Sequence, residues 1–381
     1  MYDSIVVGCG FAGATVAREL AEKKGQQVLV IDSREHIGGN CYDCVDDHGI
    51  LIQPYGPHIF HTNDKGVYDF VSRFTEWNHY EHCVVANVNG KELPVPFNFH
   101  SLEMVYGPRA SMLEKKLTEA FGEGARVSVL DLMKHDDDDV GEIGQYVYEH
   151  IFLHYTKKQW GQTPEELDAS VAGRVPVLLS RDDRYFQDTY QGLPLRGYTP
   201  LFEKMLAHER ITVRLQCAAK EVLKIEPGAD TPILFEGKPF GGNVIYTGAL
   251  DELFGCCYGR LPYRSLRFAW EHYDRQQYQS HGVVNYTVSE EYTRITEFKH
   301  LTGQEEKRGT TIVKEYPVSY EPEEGAIPYY TIGNEKNMAL YEKYRTLAAQ
   351  VPNLRLLGRL AEYRYYNMDE CIARAIHFSK K

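Results

Sequence analysis

No apolar run in this chain approaches the eighteen or so residues needed to cross a bilayer, and the opening Met1-Tyr2-Asp3-Ser4 lacks the basic and apolar stretches of a secretory leader. A cytoplasmic protein with no membrane span is the expectation. Positive charge is also short. Lys and Arg number 42 against 54 Asp and Glu, a net charge of −12, which argues against nucleic acid or an anionic membrane as a partner. Any anionic substrate must then be met by local arginines. A disulfide framework is missing too, because the eight cysteines, Cys9, Cys41, Cys44, Cys83, Cys217, Cys256, Cys257 and Cys371, are scattered through the chain. Cys41 and Cys44 make one CxxC, but zinc needs four ligands, and "EHIFLH", which holds His150 and His154, is not an HExxH motif. No metal is expected. Repeats and low-complexity linkers are absent as well. What is there, 381 residues with 43% hydrophobic and 25% charged composition, suffices for two or three packed units.

One dinucleotide fingerprint is present and a second is not, since Gly241-Gly242 and the other glycine clusters lack the spacing. In "YDSIVVGCGFAGATVAREL" the β-branched run Ile5 to Val7 stops at Gly8, and Gly8, Gly10 and Gly13 lead into an alanine-rich segment that Gly25 closes. That is strand, glycine turn, helix. Gly8 permits the turn, Gly10 lets the backbone approach a diphosphate, and Gly13 allows close packing. The N–H groups around Phe11 and Ala12 then sit at a positive helix end. "QQVLVID" reads as the next strand, and Asp32 at its end can accept both ribose hydroxyls. In "SREHIGGNCYD", Ser33, Arg34, Gly38, Gly39 and Asn40 form a second turn, a pattern resembling the FAD-binding superfamily of glutathione reductase and the amine oxidases. The resemblance implies FAD rather than a nicotinamide.

The short strands "ITVRLQ", "GNVIYTG" and "NLRLLG" look like returning parallel strands. The fold class expected is therefore α/β, with a discontinuous Rossmann-type FAD-binding domain (1–78, 205–255 and 336–381). A helical subdomain spans 103–179, and an antiparallel sheet domain takes 79–102, 180–204 and 256–335.

Further stretches, "YGPHIFHT", "HYTKKQWG", "GRVPV", "DDRYFQDTYQGLPLRGYT", "YTRITEFKH", "IPYY" and "GRLAEYRYYNMD", together resemble the bacterial UDP-galactopyranose mutase family along the whole chain. The resemblance implies an isomerase, usually a homodimer, that interconverts UDP-galactopyranose and UDP-galactofuranose for cell-surface galactofuranose synthesis. It also implies reduced FAD, with N5 as nucleophile at the anomeric carbon and no net redox change.

It further implies residue roles. Arg174 and Arg294 match diphosphate ligands and are expected to be catalytic, helped by Tyr185, Tyr329 and Tyr365. Phe152, Tyr155, Thr156 and Trp160 are expected at the uridine, although Phe152 also reads as ordinary helix packing. Asn285 lies on the sugar side. His58, in the rigid Gly56-Pro57-His58 turn, is expected against the flavin and is grouped with the catalytic residues. His61, Arg264, Arg359, Asn367 and Met368 are expected as further cofactor contacts. Arg174 falls in a stretch near 169–181 that suits a mobile flap. One position departs from several bacterial relatives: Asn367 stands where they carry Asp, so its negative charge is missing. Competing readings are a mutase with UDP-N-acetylgalactosamine specificity, an amine-oxidase-like flavin oxidoreductase, and a flavin redox sensor.

Overall fold

The computed structural model describes residues 2–161, 176–305, 309–323 and 325–380. Its principal elements begin with β1 (Ser4–Val7), α1 (Phe11–Lys24), β2 (Val28–Ile31) and β3 (Phe60–Thr62). Next come β4 (Val84–Val88), β5 (Lys91–Val95), α2 (Phe99–Tyr106), α3 (Ala110–Phe121), α4 (Asp138–Val147) and α5 (Leu153–Trp160). After β6 (Tyr190–Pro194), β7 (Ile211–Arg214) and β8 (Asn243–Tyr246) follow β9 (Tyr263–Tyr273), β10 (Val283–Tyr286), β11 (Arg294–Glu297), β12 (Thr310–Ser319) and β13 (Tyr330–Thr331). The chain closes with α6 (Glu335–Ala348), β14 (Leu354–Leu356) and α7 (Met368–Lys380).

A parallel sheet of order β7-β2-β1-β8-β14 is assembled from segments more than 300 residues apart. Its central strands are buried on both faces, which is why "SIVV" and "VLVI" are continuous apolar runs rather than alternating ones. Val6, Val28 and Val30 pack under α1 and α7 on one face, while Ile5, Leu29 and Ile31 meet Tyr341 and Tyr344 of α6 on the other. Each such side chain contributes about 1.5–3 kcal/mol by leaving water. Helix α1 ends where Gly25 turns left-handed at φ 65°, with Lys23 and Lys24 against its negative end.

A second sheet has the order β13-β9-β12-β11-β10-β4-β5. It is not wholly antiparallel, as the alternating segments suggested, because β10 pairs with β4 in parallel. The chain passes through α2 to α5 and the parallel sheet between those two strands, so it re-enters in the same direction. Leu102, Leu113, Leu117, Ile143 and Val147 of the helices share a core with Val84, Val88 and Val95. They cover the β4–β5 end of this sheet, and α5 continues along it to pack against β12.

Candidate functional site

The turn after β1 is shaped by what a side chain would strike. A Cβ on Gly13 would fall on the Gly8 carbonyl, and one on Gly39 would lie 2.9 Å from Gly10 Cα. Gly8 itself sits at φ 105°, a region that disfavours other residues. Gly10 gives α1 no side-chain cap, so the first-turn N–H groups near Phe11, Ala12 and Gly13 remain directed outward from a positive helix end. The Phe11 ring packs on Tyr198 and Phe202, which leaves only its backbone for a ligand. The Asp32 carboxylate accepts from Cys9 N at 2.8 Å and from Arg34 N at 3.0 Å, which ties the end of β2 to the turn. Ser33 is exposed beside it, and Asn40 accepts from Arg34 Nη2 at 2.8 Å. From the far end of the chain, Met368 at the start of α7 brings its sulfur 3.6 Å from Cys41 Sγ. Asn367 just before it donates its N–H to Glu370. These backbone segments gather between the N-termini of α1 and α7 as a cradle.

The second sheet supplies a row of side chains. Register places Phe268, Glu315, Arg294 and Asn285 opposite one another on β9, β12, β11 and β10, hence on one face, at about 4.8 Å per strand. Arg294 Nε lies 2.8 Å from the fully buried Glu315 carboxylate, an ion-pair contact whose angle departs from that of a good hydrogen bond. Burial pushes Glu315 upward while Arg294 pulls it down. Arg294 stays charged because Glu315 and the nearby Tyr155 and Tyr330 outweigh its own desolvation. A chain of rings closes over the row. Trp160 meets Tyr330 at 5.7 Å, Tyr330 stacks on Tyr365 at 5.8 Å, and Arg359 lies 4.6 Å over Tyr365. Burial raises Tyr330 to about 12, so its hydroxyl stays protonated and can donate.

The cradle and the row meet at the "YGPHIFHT" turn. A side chain on Gly56 would touch Phe268 and Glu315, and the charges of Arg359 and Arg294 both act on His58. His58 Nδ1 bonds Gly56 O at 2.8 Å, and burial holds its pKa at about 4, so it is neutral at neutral pH. His61 stacks on Phe186 at 3.6 Å and pairs with Asp188 at 3.0 Å. His82, buried next to Tyr185, is pushed down to about 3 by desolvation. The linkage sign follows. Unfolded imidazoles take a proton near pH 6.5, so between pH 6.5 and about 4 the unfolded chain binds protons that the fold excludes, and stability falls as pH falls. His58 alone contributes on the order of 3 kcal/mol to that loss. Urea midpoints of wild type and His82→Gln at pH 7 and pH 4 check it: the variant should lose less than wild type, and equal losses would refute the assignment.

The residue order along this surface can be compared with known sequences. The family model for UDP-galactopyranose mutase matches residues 150–365, a span that holds the row and the ring chain except for the cradle. The chain belongs to the UDP-galactopyranose mutase family. A model for NAD(P)-binding Rossmann-like domains matches residues 6–74, which hold the glycine turns and Asp32 of the cradle. The UDP-galactopyranose mutase of Mycoplasma pneumoniae is 37% identical over 98% of this chain and 94% of its own. The dTDP-fucopyranose mutase of Escherichia coli is likewise 37% identical, over 98% and 96%. Among solved structures, a reduced UDP-galactopyranose mutase superposes with a TM-score of 0.74 at 14% identity, covering 100% of this chain and 93% of that one. Putrescine oxidase follows the same fold at 0.56 and 12%, covering 100% and 98%.

Of the residues singled out from sequence, Arg294, Asn285, Tyr155, Tyr329, Tyr365, Trp160, Arg359 and His58 converge on this region. Thr156 and Phe152 are buried on the same helical stretch, where Phe152 contacts Tyr148. Arg264 is tied to the helix. Its Nε and Nη2 donate to the carbonyls of Gln159 and Lys158 at 2.9 Å each, so the guanidinium caps the end of α5. Arg174 and most of the expected flap lie outside the described residues. Two residues were missed, Glu315 and Tyr330. The alternation of "IVKEYPV" signals that Glu315 points inward, but only register shows that it stands opposite Arg294.

Proposed function

We propose that this protein is a UDP-galactopyranose mutase that interconverts UDP-galactopyranose and UDP-galactofuranose. The observation that carries the reading is Arg294 in the middle of the cross-strand row, ion-paired at Nε to a buried carboxylate and flanked by Tyr155 and Tyr330. Such a guanidinium keeps its position without reorganisation, as charge stabilisation on a departing diphosphate requires. Tyr330, Tyr365 and Tyr185 add hydroxyl donors to that diphosphate, and Arg174 is assigned beside them by its match to the family motif. Asn285 would orient the sugar. Tyr155, Thr156 and Trp160 would hold the uridine, and Phe152 would back them.

The cradle fits FAD by its open helix N-terminus and by the near-contact of Gly10 and Gly39. Gly8, Gly10, Phe11, Ala12 and Gly13 would take the diphosphate, Asp32 the ribose, and Ser33, Gly39 and Asn40 the second turn. His58, His61, Arg359, Asn367 and Met368 would line the ring. When bound and reduced, the flavin supplies the nucleophile for the anomeric carbon and is not consumed. His58, neutral at working pH, would contact the ring without acting as a proton donor there. Asn367 preserves hydrogen bonding without adding negative charge beside the ring. The three-part domain division follows the same reading, as does a cytoplasmic homodimer serving galactofuranose synthesis. Among the described residues no helix is long and apolar enough to cross a membrane.

The test is anaerobic incubation with UDP-galactofuranose, with and without dithionite, counting sugar isomerised per reductant consumed. A ratio far above one with an inert oxidised enzyme is expected. A ratio pinned at one points to an oxidoreductase and overturns the reading. Because the dTDP-fucopyranose mutase is as similar as the UDP-galactose enzyme, dTDP-fucopyranose is run in parallel. Faster turnover of that sugar would reassign the substrate and leave the ring chemistry in place.

A further inference from the structure

The helix expected to grip the nucleotide base and the hairpin that carries Arg294 are joined by one lysine. Lys158, in the last turn of α5, donates from Nζ to three main-chain carbonyls at the end of β10 and in the turn to β11: Tyr286 at 2.5 Å, Glu290 at 2.9 Å and Tyr292 at 3.2 Å. Asn285 and Arg294 flank that turn and pair with each other at its base. On the other side, Lys158 lies two residues from both Thr156 and Trp160. Three further bonds run between the same helical stretch and the sheet or its turn. Thr287 Oγ1 donates to His150 O at 2.6 Å, within the wide π turn Tyr148–Phe152 that precedes α5 and frees carbonyls from the usual ladder. Arg264 takes the carbonyls of Lys158 and Gln159 at the helix end, where four acceptors lack helical partners.

We propose that Lys158 is a positioning residue that sets the base-binding helix in register with the Arg294 hairpin, and so fixes the distance between the base and diphosphate halves of the substrate site. This inference rests on the nucleotide-sugar reading above. Three donors satisfied by three carbonyls, one at the end of β10 and two in the turn that follows, leave the ammonium one position. Among the described residues its hydrogen bonds all go to backbone, so the half-buried charge is used to hold main chain rather than to form an ion pair. A nucleoside diphosphate spans both halves, and a shift of about 1 Å between them can cost on the order of a hundredfold in rate.

The experiment measures UDP affinity, KM and kcat for the UDP-sugar, flavin content and Tm for wild type, Lys158→Met and Thr287→Val. Lys116→Met serves as control, since that lysine sits in the helical subdomain paired to Asp137 and Asp139 instead. Lys158→Met should weaken UDP binding and raise KM about ten- to a hundredfold, with kcat less affected and the flavin content and absorption spectrum unchanged. Thr287→Val, which keeps its shape and loses one bond, should move the same quantities less, and it keeps the question open to measurement if Lys158→Met fails to fold. Lys116→Met should change Tm alone. If UDP affinity and KM in Lys158→Met and Thr287→Val match wild type, or move no more than in Lys116→Met at equal Tm loss, the positioning role is overturned. A wild type that fails to bind UDP instead overturns the nucleotide-sugar reading, and this inference with it.

Discussion

Arg294→Ala is expected to turn over the nucleotide sugar at least a hundredfold more slowly than wild type while retaining its flavin. The guanidinium is fixed by Glu315 and sits under the ring chain formed by Trp160, Tyr330 and Tyr365. Removing one preorganised donor from developing oxyanion charge costs about 2.7–4 kcal/mol in related settings. Stability should fall as well, for a different reason. Glu315 is fully buried, and deleting its partner leaves an uncompensated carboxylate, a change that costs about 3–5 kcal/mol when a buried pair is broken. The two effects separate in the double variant Arg294→Met/Glu315→Gln, which should recover most of the lost Tm and none of the lost turnover. Single-turnover rates with thermal melts on the three proteins decide it. Near-wild-type turnover in Arg294→Ala would return this arginine to a structural ion pair, and recovery of turnover in the double variant would mean that only the unpaired Glu315 had been harmful.

What could be read in advance was whatever depended on neighbours in sequence. The strand, glycine turn and helix over residues 4–24 are set by steric limits within a few residues, and the left-handed stop at Gly25 is local too. The returning strands β7, β8 and β14 betray themselves as short β-branched or aliphatic runs that end near a glycine or a polar turn, wherever they fall in the chain. The row Phe268, Glu315, Arg294, Asn285 was only half visible. Motif resemblance singled out Arg294 and Asn285, but Glu315 belongs to the site because of register between strands about twenty residues apart, and alternation along one strand carries no register. Tyr329 and Tyr330 show the limit of composition, since two adjacent tyrosines at the start of β13 make different ring contacts. Tyr330 carries the stack between Trp160 and Tyr365, while Tyr329 meets Phe268 edge-on. Arg264 was expected at the cofactor because its position matches the family's flavin side. Its bonds to the end of α5 depend on a helix more than a hundred residues earlier.

Gly13→Val is expected to yield a folded protein with no bound flavin. The reason is steric rather than conformational, since Gly13 is not among the residues at positive φ. Any Cβ there would land on the Gly8 carbonyl oxygen, and Val6 Cγ1 would lie 3.2 Å away. The Gly8 carbonyl cannot yield unless the first turn of α1 lifts from the end of β1. Lifting it dissolves the cradle, because the N–H groups near Phe11 and Ala12 and the near-contact of Gly10 with Gly39 all depend on that closeness. Most of the secondary structure should survive, held by the opposite face of the sheet and by α6, but Tm should drop by the stabilisation that a tightly bound ligand gives its folded host. Gly25→Ala is the matched control. It places a side chain at φ 65° with nothing within 4 Å, so it should lose about 1–2 kcal/mol from backbone strain and keep its full complement of flavin. Absorbance at the flavin bands after desalting, read against far-ultraviolet circular dichroism, separates the two. Stoichiometric flavin in Gly13→Val, or equal loss in both variants, would show that the glycine turn is not the cofactor's seat.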